Sequence, residues 1–333
     1  MTGTMKRFVL TGPGEYHYDT APIPGIEKDT DVQTKILAAG ICGTDVHIFH
    51  GRRAQEFPFV IGHEYVGIVT AVGPAVTKVK VGDYVTGEAN YSCGVCQQCA
   101  TGHGNLCVDK KIVGITVPGV FQEYTVVPER YVWKIPESIS PREGAAIEAG
   151  VVGFHAVNRA NVHAADRVLI FGAGSVGLWA LQCARVQGGR VYMSDINKDR
   201  LAIAKELGAE DVFYTTDMPV DEKFDIIIDA AGAPITIQQS ISLCRDNGTI
   251  VFVGICAEPV EIDMCQVTRH ELNLHGAVAS NAEYPAFIQL LSTGQISGEK
   301  IATHVLPFEE IPKAIDLMAK QIAIKAVIDF STK

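Results

Sequence analysis

The chain has 333 residues, 47% of them hydrophobic, and a formal net charge of −10. Because single hydrophobic cores stop growing at roughly 250–300 residues, two domains are expected. The acidic balance argues against nucleic acid or a membrane surface as partner, since both demand clustered Lys and Arg, and a small molecule is expected instead.

The first residues, Met1 to Lys6, carry no basic, apolar and small-residue succession of the kind that directs secretion, so the cytoplasm is the expected location. In a reducing compartment, nine cysteines call for metal binding or burial before disulfides.

From residue 8 to about 85, short runs such as Phe8-Val9-Leu10, Val32-Gln33-Thr34-Lys35-Ile36 and Val66-Gly67-Ile68-Val69-Thr70 are separated by turn residues, which predicts a compact, barrel-like β domain. Within it, Gly40-Ile41-Cys42-Gly43-Thr44-Asp45-Val46-His47 and Gly62-His63-Glu64 place a thiol, an imidazole and a carboxylate among glycines. Zinc accepts those three ligand types together, although a lone Cys42 or His63 reads equally well as a core residue.

Cys93-Gly94-Val95-Cys96-Gln97-Gln98-Cys99, with Cys107 eight positions on, is the most specific local signal. Four thiolates at this spacing can wrap one tetrahedral zinc, with Gly94, Gly102 and Gly104 permitting the turns. Such a site is closed and therefore structural. Residues 121–127 and 131–135 continue the β pattern, and Pro128, Pro136 and Pro141 punctuate its end.

Around Gly150 the character changes. Residues 167–171, 191–195, 211–214, 224–229, 249–253 and 272–278 read as six strands, with helical stretches such as 176–186 and 200–207 between them. Nearly continuous apolar strands with helical crossovers predict a doubly wound parallel sheet, an α/β Rossmann fold. The uncharged run 168–184 is short for a membrane span and is broken by glycines, so it reads as strand, turn and helix.

Gly172-Ala173-Gly174-Ser175-Val176-Gly177 joins that first strand to that helix, the context in which such glycines let backbone amides approach a pyrophosphate. Asp195 ends the second strand, where a carboxylate bonds ribose hydroxyls and repels a 2′-phosphate, so NAD is expected over NADP. Lys198 and Arg200 keep NADP open. Arg200 is a candidate cofactor contact and equally a solvated helix-start residue. Cys183, Cys244, Cys256 and Cys265 are expected to be core or inert thiols.

The Gly62-His63-Glu64 segment with Gly67, Gly73 and Val76 resembles the metal signature of zinc-dependent alcohol dehydrogenases of the medium-chain dehydrogenase/reductase family. The 40–47 segment resembles that family's other metal segment as found in its sorbitol and threonine dehydrogenase branch, and the four-cysteine run resembles its structural zinc lobe. The resemblance covers residues 6–330. It implies a chaperonin-10-like catalytic domain of residues 1–153, to which 298–333 return, and a Rossmann NAD-binding domain of residues 154–297. It also implies two zinc ions per chain and a homo-oligomer, dimer or tetramer.

In that family the open zinc lies in the cleft between the domains. Its ligands carry over as Cys42, His63 and a carboxylate, Glu64 or Glu148, the latter binding directly, through water or by exchange. Sorbitol dehydrogenases follow the counterpart of Glu148 with proline and leucine, where this chain has Ala149 and Gly150. Thr44 then takes the substrate proton beside the metal and His47 passes it to solvent by way of the cofactor ribose; alternatively, Thr44 is a turn residue and His47 a surface histidine.

The reaction implied is NAD-linked oxidation of a secondary alcohol to a ketone. A polyol or sugar-derived alcohol is the first expectation, with threonine-like amino alcohols and simple secondary alcohols as alternatives. The arginine and tyrosine that sorbitol dehydrogenases set against sugar hydroxyls are missing near Gly276-Ala277-Val278-Ala279-Ser280-Asn281. Phe49, His50, Arg52, Arg53 and the Glu148 region are expected to bound the substrate cleft. A nicotinamide-binding sensor or structural protein without turnover is the reading from another class; the presence together of Cys42, His63 and Thr44 argues for the enzyme.

Overall fold

The computed structural model describes residues 3–219 and 221–331. The chain forms two compact units, one of Met1–Glu148, Tyr284–Ser292 and Ser297–Lys333, the other of Ala149–Glu283 and Thr293–Ile296.

The first unit is organised around the strand Asp31–Gly40. Glu64–Val72 pairs with it antiparallel along one side; on the other side Tyr124–Pro128 covers its first half and Ala326–Asp329 its second. Tyr84–Gly87, Val132–Lys134 and His304–Pro307 extend the sheet to seven strands. Register shifts at Gln33/Thr34 and Ile36/Ala38 bend the central strand, and such bulges sharpen the local twist, which curls the sheet toward a barrel. Phe8, Ile36, Ile41, Ile48, Phe121 and Ile328 are buried in its core, each stabilising the fold by about 1.5–3 kcal/mol relative to exposure.

The second unit holds an all-parallel sheet of six strands in the order Asp211–Tyr214, Arg190–Asp195, Arg167–Phe171, Phe224–Asp229, Cys244–Phe252, Asn273–Gly276. In chain order that is 3-2-1-4-5-6, the doubly wound dinucleotide-binding arrangement. Residues 168–171 and 226–228 are buried throughout, as parallel strands covered on both faces must be. The expected run of strand, turn and helix is Arg167–Phe171 followed by the helix Ser175–Val186.

Two details differ from the sequence reading. The helix Tyr284–Ser292, assigned there to the nucleotide domain, belongs to the first unit. The buried Tyr284 donates its hydroxyl to Gly87 O at 3.3 Å and stacks on Trp133 with ring centroids 6.1 Å apart. The strand expected from residue 121 begins at Tyr124, because the Phe121 N–H is given to Ile61 O at 3.1 Å and the Gln122 side chain turns back to Gly119 O.

Candidate metal centres and nucleotide site

Three strand ends build the first centre. Gly40 lies opposite Glu64 on one side and Val327 on the other, and Ile41 next to it donates its N–H to Ala326 O at 2.9 Å. That register brings Cys42, Glu64 and Lys325 together. Position 40 must be glycine: a Cβ there would sit 2.3 Å from Glu64 Oε2 and 2.5 Å from Ala145 O.

Past Cys42 the chain enters the helix Gly43–Phe49. The fully buried Asp45 carboxylate accepts the Cys42 N–H at 2.8 Å and the Gly62 N–H at 3.1 Å, tying the two segments together. Its Oδ1 also lies 3.8 Å from His63 Nδ1, a buried nitrogen with no hydrogen-bond partner among the described residues. A carboxylate behind an imidazole is the arrangement that orients a metal-ligating histidine. Ligand atoms of Cys42, His63 and Glu64 all lie within 4.8 Å of one another, and that mixed sulfur, nitrogen and oxygen donor set fits zinc.

Charge supports the same reading. Burial disfavours an imidazolium at His63, but the Cys42 thiolate and the Asp45 carboxylate outweigh it and hold the pKa well above its ordinary value. Burial pushes the Glu148 carboxyl up to about 7 and raises that of Asp45, in both cases against the opposing attraction of His63. So many buried acidic groups around one imidazole and one ammonium suit a divalent cation.

Glu148 stands outside the mutual 4.8 Å group, in the first turn of the helix Ile147–Ala160. Thr44 is half-buried and His47 exposed, three residues apart in one helix and so on one face. Phe49, expected at the substrate cleft, lies largely inside the first unit. It is 7% exposed and packs into the core against Tyr16, ring centroids 6.2 Å apart, because position 49 falls on the inner face of that helix; His50, Arg52 and Arg53 are exposed.

The sequence reading missed Asp45 and Lys325. Asp45 had a signal, an acid three residues after a residue that starts a helix. Lys325 had none: it is buried at 2% exposure and gives Nζ to Glu64 Oε1 at 2.7 Å, to Glu64 Oε2 at 2.6 Å and to Ile41 O at 3.1 Å.

In the second centre, Sγ separations are 3.4 Å for Cys96 and Cys99, 3.9 Å for Cys96 and Cys107, and 4.0 Å for Cys93 and Cys99. Zn–S bonds of about 2.3 Å in a tetrahedron place sulfurs about 3.8 Å apart, so the four thiols match a zinc cage. Backbone N–H groups of Cys99 and Val108 hold the Cys96 thiol down to about 6, which favours the ligating thiolate. Gly94 and Gly102 take the left-handed conformation at φ 80°; Gly104 does not and instead opens a short 3₁₀ turn.

In the second unit, Gly172 has φ 94°, and a Cβ on Gly177 would meet Gly172 O at 1.9 Å, so the turn and the helix after it need both glycines. Gly174 caps that helix and Val176 is half-buried in its first turn. Ser175 Oγ is buried there without a hydrogen-bond partner among the described residues, and an anion at the helix N-terminus would supply one. Asp195 Oδ2 accepts the Ala173 N–H at 2.6 Å and Oδ1 the Asn197 N–H at 2.7 Å, which holds the carboxylate beside the glycine turn. Arg200 is half-buried, its pKa lowered by burial against the pull of Asp195. Lys198 lies over the Tyr214 ring, 5.9 Å from its centroid.

Residues 28–137 match the alcohol dehydrogenase GroES-like domain, and residues 175–293 match the zinc-binding dehydrogenase family. A probable D-xylulose reductase A from Emericella nidulans is 34% identical over 342 aligned positions that cover 96% of this chain and 95% of that protein. The chain belongs to the zinc-dependent, medium-chain alcohol dehydrogenases. An L-threonine 3-dehydrogenase from Bacillus velezensis is also 34% identical, covering 92% of this chain and 93% of its own. A short chain alcohol dehydrogenase, RspB, from Escherichia coli CFT073, complexed with NADH, superposes with a TM-score of 0.93 at 31% identity, over 98% of this chain and 99% of that one. This dehydrogenase is thus an NAD(P)-linked oxidoreductase acting on a CH–OH group, with zinc among its cofactors. Among its described residues no helix is long and apolar enough to cross a membrane.

Proposed function

We propose that the dehydrogenase oxidises a secondary alcohol carrying an adjacent hydroxyl, a polyol or sugar-derived alcohol, at the centre formed by Cys42 and His63 with Glu64 or Glu148. The observation that carries this is the mutual approach of the Cys42, His63 and Glu64 ligand atoms within 4.8 Å. Zinc held there would supply Lewis acidity, easing loss of the hydroxyl proton near neutral pH. Thr44 receives that proton, and the exposed His47 one helical turn on hands it to water. Bound NAD would supply the hydride acceptor for the carbinol hydrogen, so that the overall products are ketone, NADH and a proton. Cys93, Cys96, Cys99 and Cys107 would hold a second zinc, in a structural rather than a catalytic role.

The polyol preference draws on the xylulose reductase relative, and the threonine dehydrogenase relative supports an amino alcohol as the second reading. Both substrate types place a second heteroatom beside the reacting carbinol, where it can anchor the substrate. Purified enzyme with NAD, screened against polyols, cyclitols, amino alcohols and simple secondary alcohols, will favour a vicinally substituted compound by about 10²-fold or more in kcat/KM, since a site built to bond a hydroxyl rejects analogues that lack it. Equal kcat/KM for 2-butanol and the best diol would remove the second anchor.

Gly172, Gly174, Val176 and Gly177 cradle the pyrophosphate in this reading, Asp195 binds the adenosine ribose, and Arg200 flanks it. Asp195→Ala should lower the NAD over NADP ratio of kcat/KM by about 10²-fold, roughly 3 kcal/mol for lost charge-assisted bonds and relieved repulsion. Damage to the glycine turn would weaken both cofactors and leave the ratio unchanged. An unaltered ratio places Asp195 away from the ribose.

The strand Asn273–Gly276 ends the six-stranded sheet with one edge unpaired among the described residues, and Val278 just beyond it is exposed. Such an edge suits pairing across a two-fold axis, and we assign a homo-oligomer on that basis. Light scattering at micromolar concentration should give at least the dimer mass; a monomer mass rules the pairing out.

A further inference from the structure

The second unit holds a buried pair that the reaction above does not use. His155 and Glu283 are 7% and 9% exposed, and His155 Nδ1 lies 2.7 Å from Glu283 Oε1. The other carboxylate oxygen accepts the Asn281 N–H, and an ionised carboxylate offers only acceptors, so the imidazole is the donor. One turn along the same face of the helix Ile147–Ala160, Arg159 gives Nε to Gly276 O at 3.3 Å and Nη2 to His275 Nδ1 at 3.5 Å. The helix therefore grips both ends of residues 276–283, the segment that leaves the sixth strand of the parallel sheet. Within it Ala279 and Ala282 take φ of 55° and 69°, the left-handed region that favours glycine. Alanines so placed persist only where their surroundings hold them, and such strain gathers at sites that bind. Desolvation offsets most of the attraction in a buried pair, so what this one supplies is placement.

In a doubly wound sheet each half of three strands takes one mononucleotide, outside the carboxyl ends of its strands. Asp195, ending the second strand, gives the adenosine to the first half. The nicotinamide falls to Phe224–Asp229, Cys244–Phe252 and Asn273–Gly276. Their carboxyl ends are tied together, since Val253 N–H reaches Asp229 O and Ala277 N–H reaches Phe252 O, both at 2.9 Å. We propose that His155 and Glu283 are positioning residues that hold residues 277–283 in the shape that receives the nicotinamide ring, with Arg159 fixing the other end of the segment. The proposal rests on the cofactor assignment above. Both residues act through the backbone of the segment. Break the pair, and Ala279 and Ala282 relax toward ordinary backbone; the ring loses its seat while the adenosine half keeps its own.

The test compares NADH with ADP-ribose, the same molecule without its nicotinamide ring, by calorimetric titration of full-length, zinc-replete enzyme. His155→Ala should weaken NADH about tenfold, the scale of one hydrogen bond to a charged group, and leave ADP-ribose within about twofold of wild type. Glu283→Gln should do the same without changing volume, because it turns an amide donor against one of the two N–H groups. His155→Asn, with a nitrogen donor where Nδ1 stood, should keep wild-type affinity for NADH. Unchanged NADH affinity in His155→Ala overturns the proposal. So does an equal loss of both ligands, which reports a general loosening of the fold, or an asparagine variant as weak as the alanine one, which would make bulk and not the bond responsible. Should His155→Ala fail to fold, Glu283→Gln decides on the same two ligands. A wild type that binds neither ligand overturns the cofactor assignment itself, a result distinct from these.

Discussion

Cys42→Ala yields a folded protein that loses the open-site zinc and at least about 10³-fold in kcat/KM. Polarisation by a metal supplies several kcal/mol of charge stabilisation, and each 1.36 kcal/mol is a factor of ten in rate. The fold should survive because the local structure does not lean on the sulfur. The Cys42 N–H still reaches Asp45 Oδ2, Asp45 still accepts from Gly62, and Ile41 still pairs with Ala326. Metal analysis, a thermal melt and NADH formation check the three parts separately. Activity above a tenth of wild type in protein shown to lack that zinc would remove the metal from the reaction.

The second large effect is on structure. Cys107→Ser should lose the other zinc and open the lobe between Cys93 and Cys107. Little else holds that segment. Its helix Gln97–Ala100 buries none of its four residues, and Val95 and Val108 are exposed at 86% and 83%. Structural zinc contributes folding free energy outright, and losing such a site belongs with the largest single-residue effects, about 4 kcal/mol or more. Because the lobe has so few buried contacts, opening should be local first. Limited proteolysis should cut within it while the rest of the chain stays protected. A protease-resistant lobe in a zinc-free variant would show that side-chain packing, not metal, holds it.

What could be read in advance follows from the range of each signal. The six parallel strands announce themselves because buried strands such as Leu169-Ile170-Phe171 and Ile226-Ile227-Ile228 are locally apolar. The four cysteines and the glycine turn are likewise contiguous, and their spacing is their geometry. Lys325 could not be read so. It meets Glu64 across 261 positions, through a strand pairing that no window contains, and a lysine in a short strand reads as solvated. Tyr284 was misplaced for the same reason, its partners Gly87 and Trp133 lying in another part of the chain. Phe49, expected beside Arg52 and Arg53 at the cleft, is turned inward by its helix and is 7% exposed. Cys183 and Cys244 are buried as expected, whereas Cys256 is half-buried and Cys265 exposed, surface thiols with no local mark to separate them.

Zinc content and NADH production followed together through one chelator titration of the wild-type enzyme test the central assignment most directly. The expected starting value is two zinc ions per chain. The first ion removed, from the open site, should take NADH production on the best diol with it in proportion, while the second, in the four-cysteine lobe, should leave later and with loss of the folded lobe. Fewer than two zinc ions in metal-replete protein, or NADH production that persists after the first has gone, would contradict it.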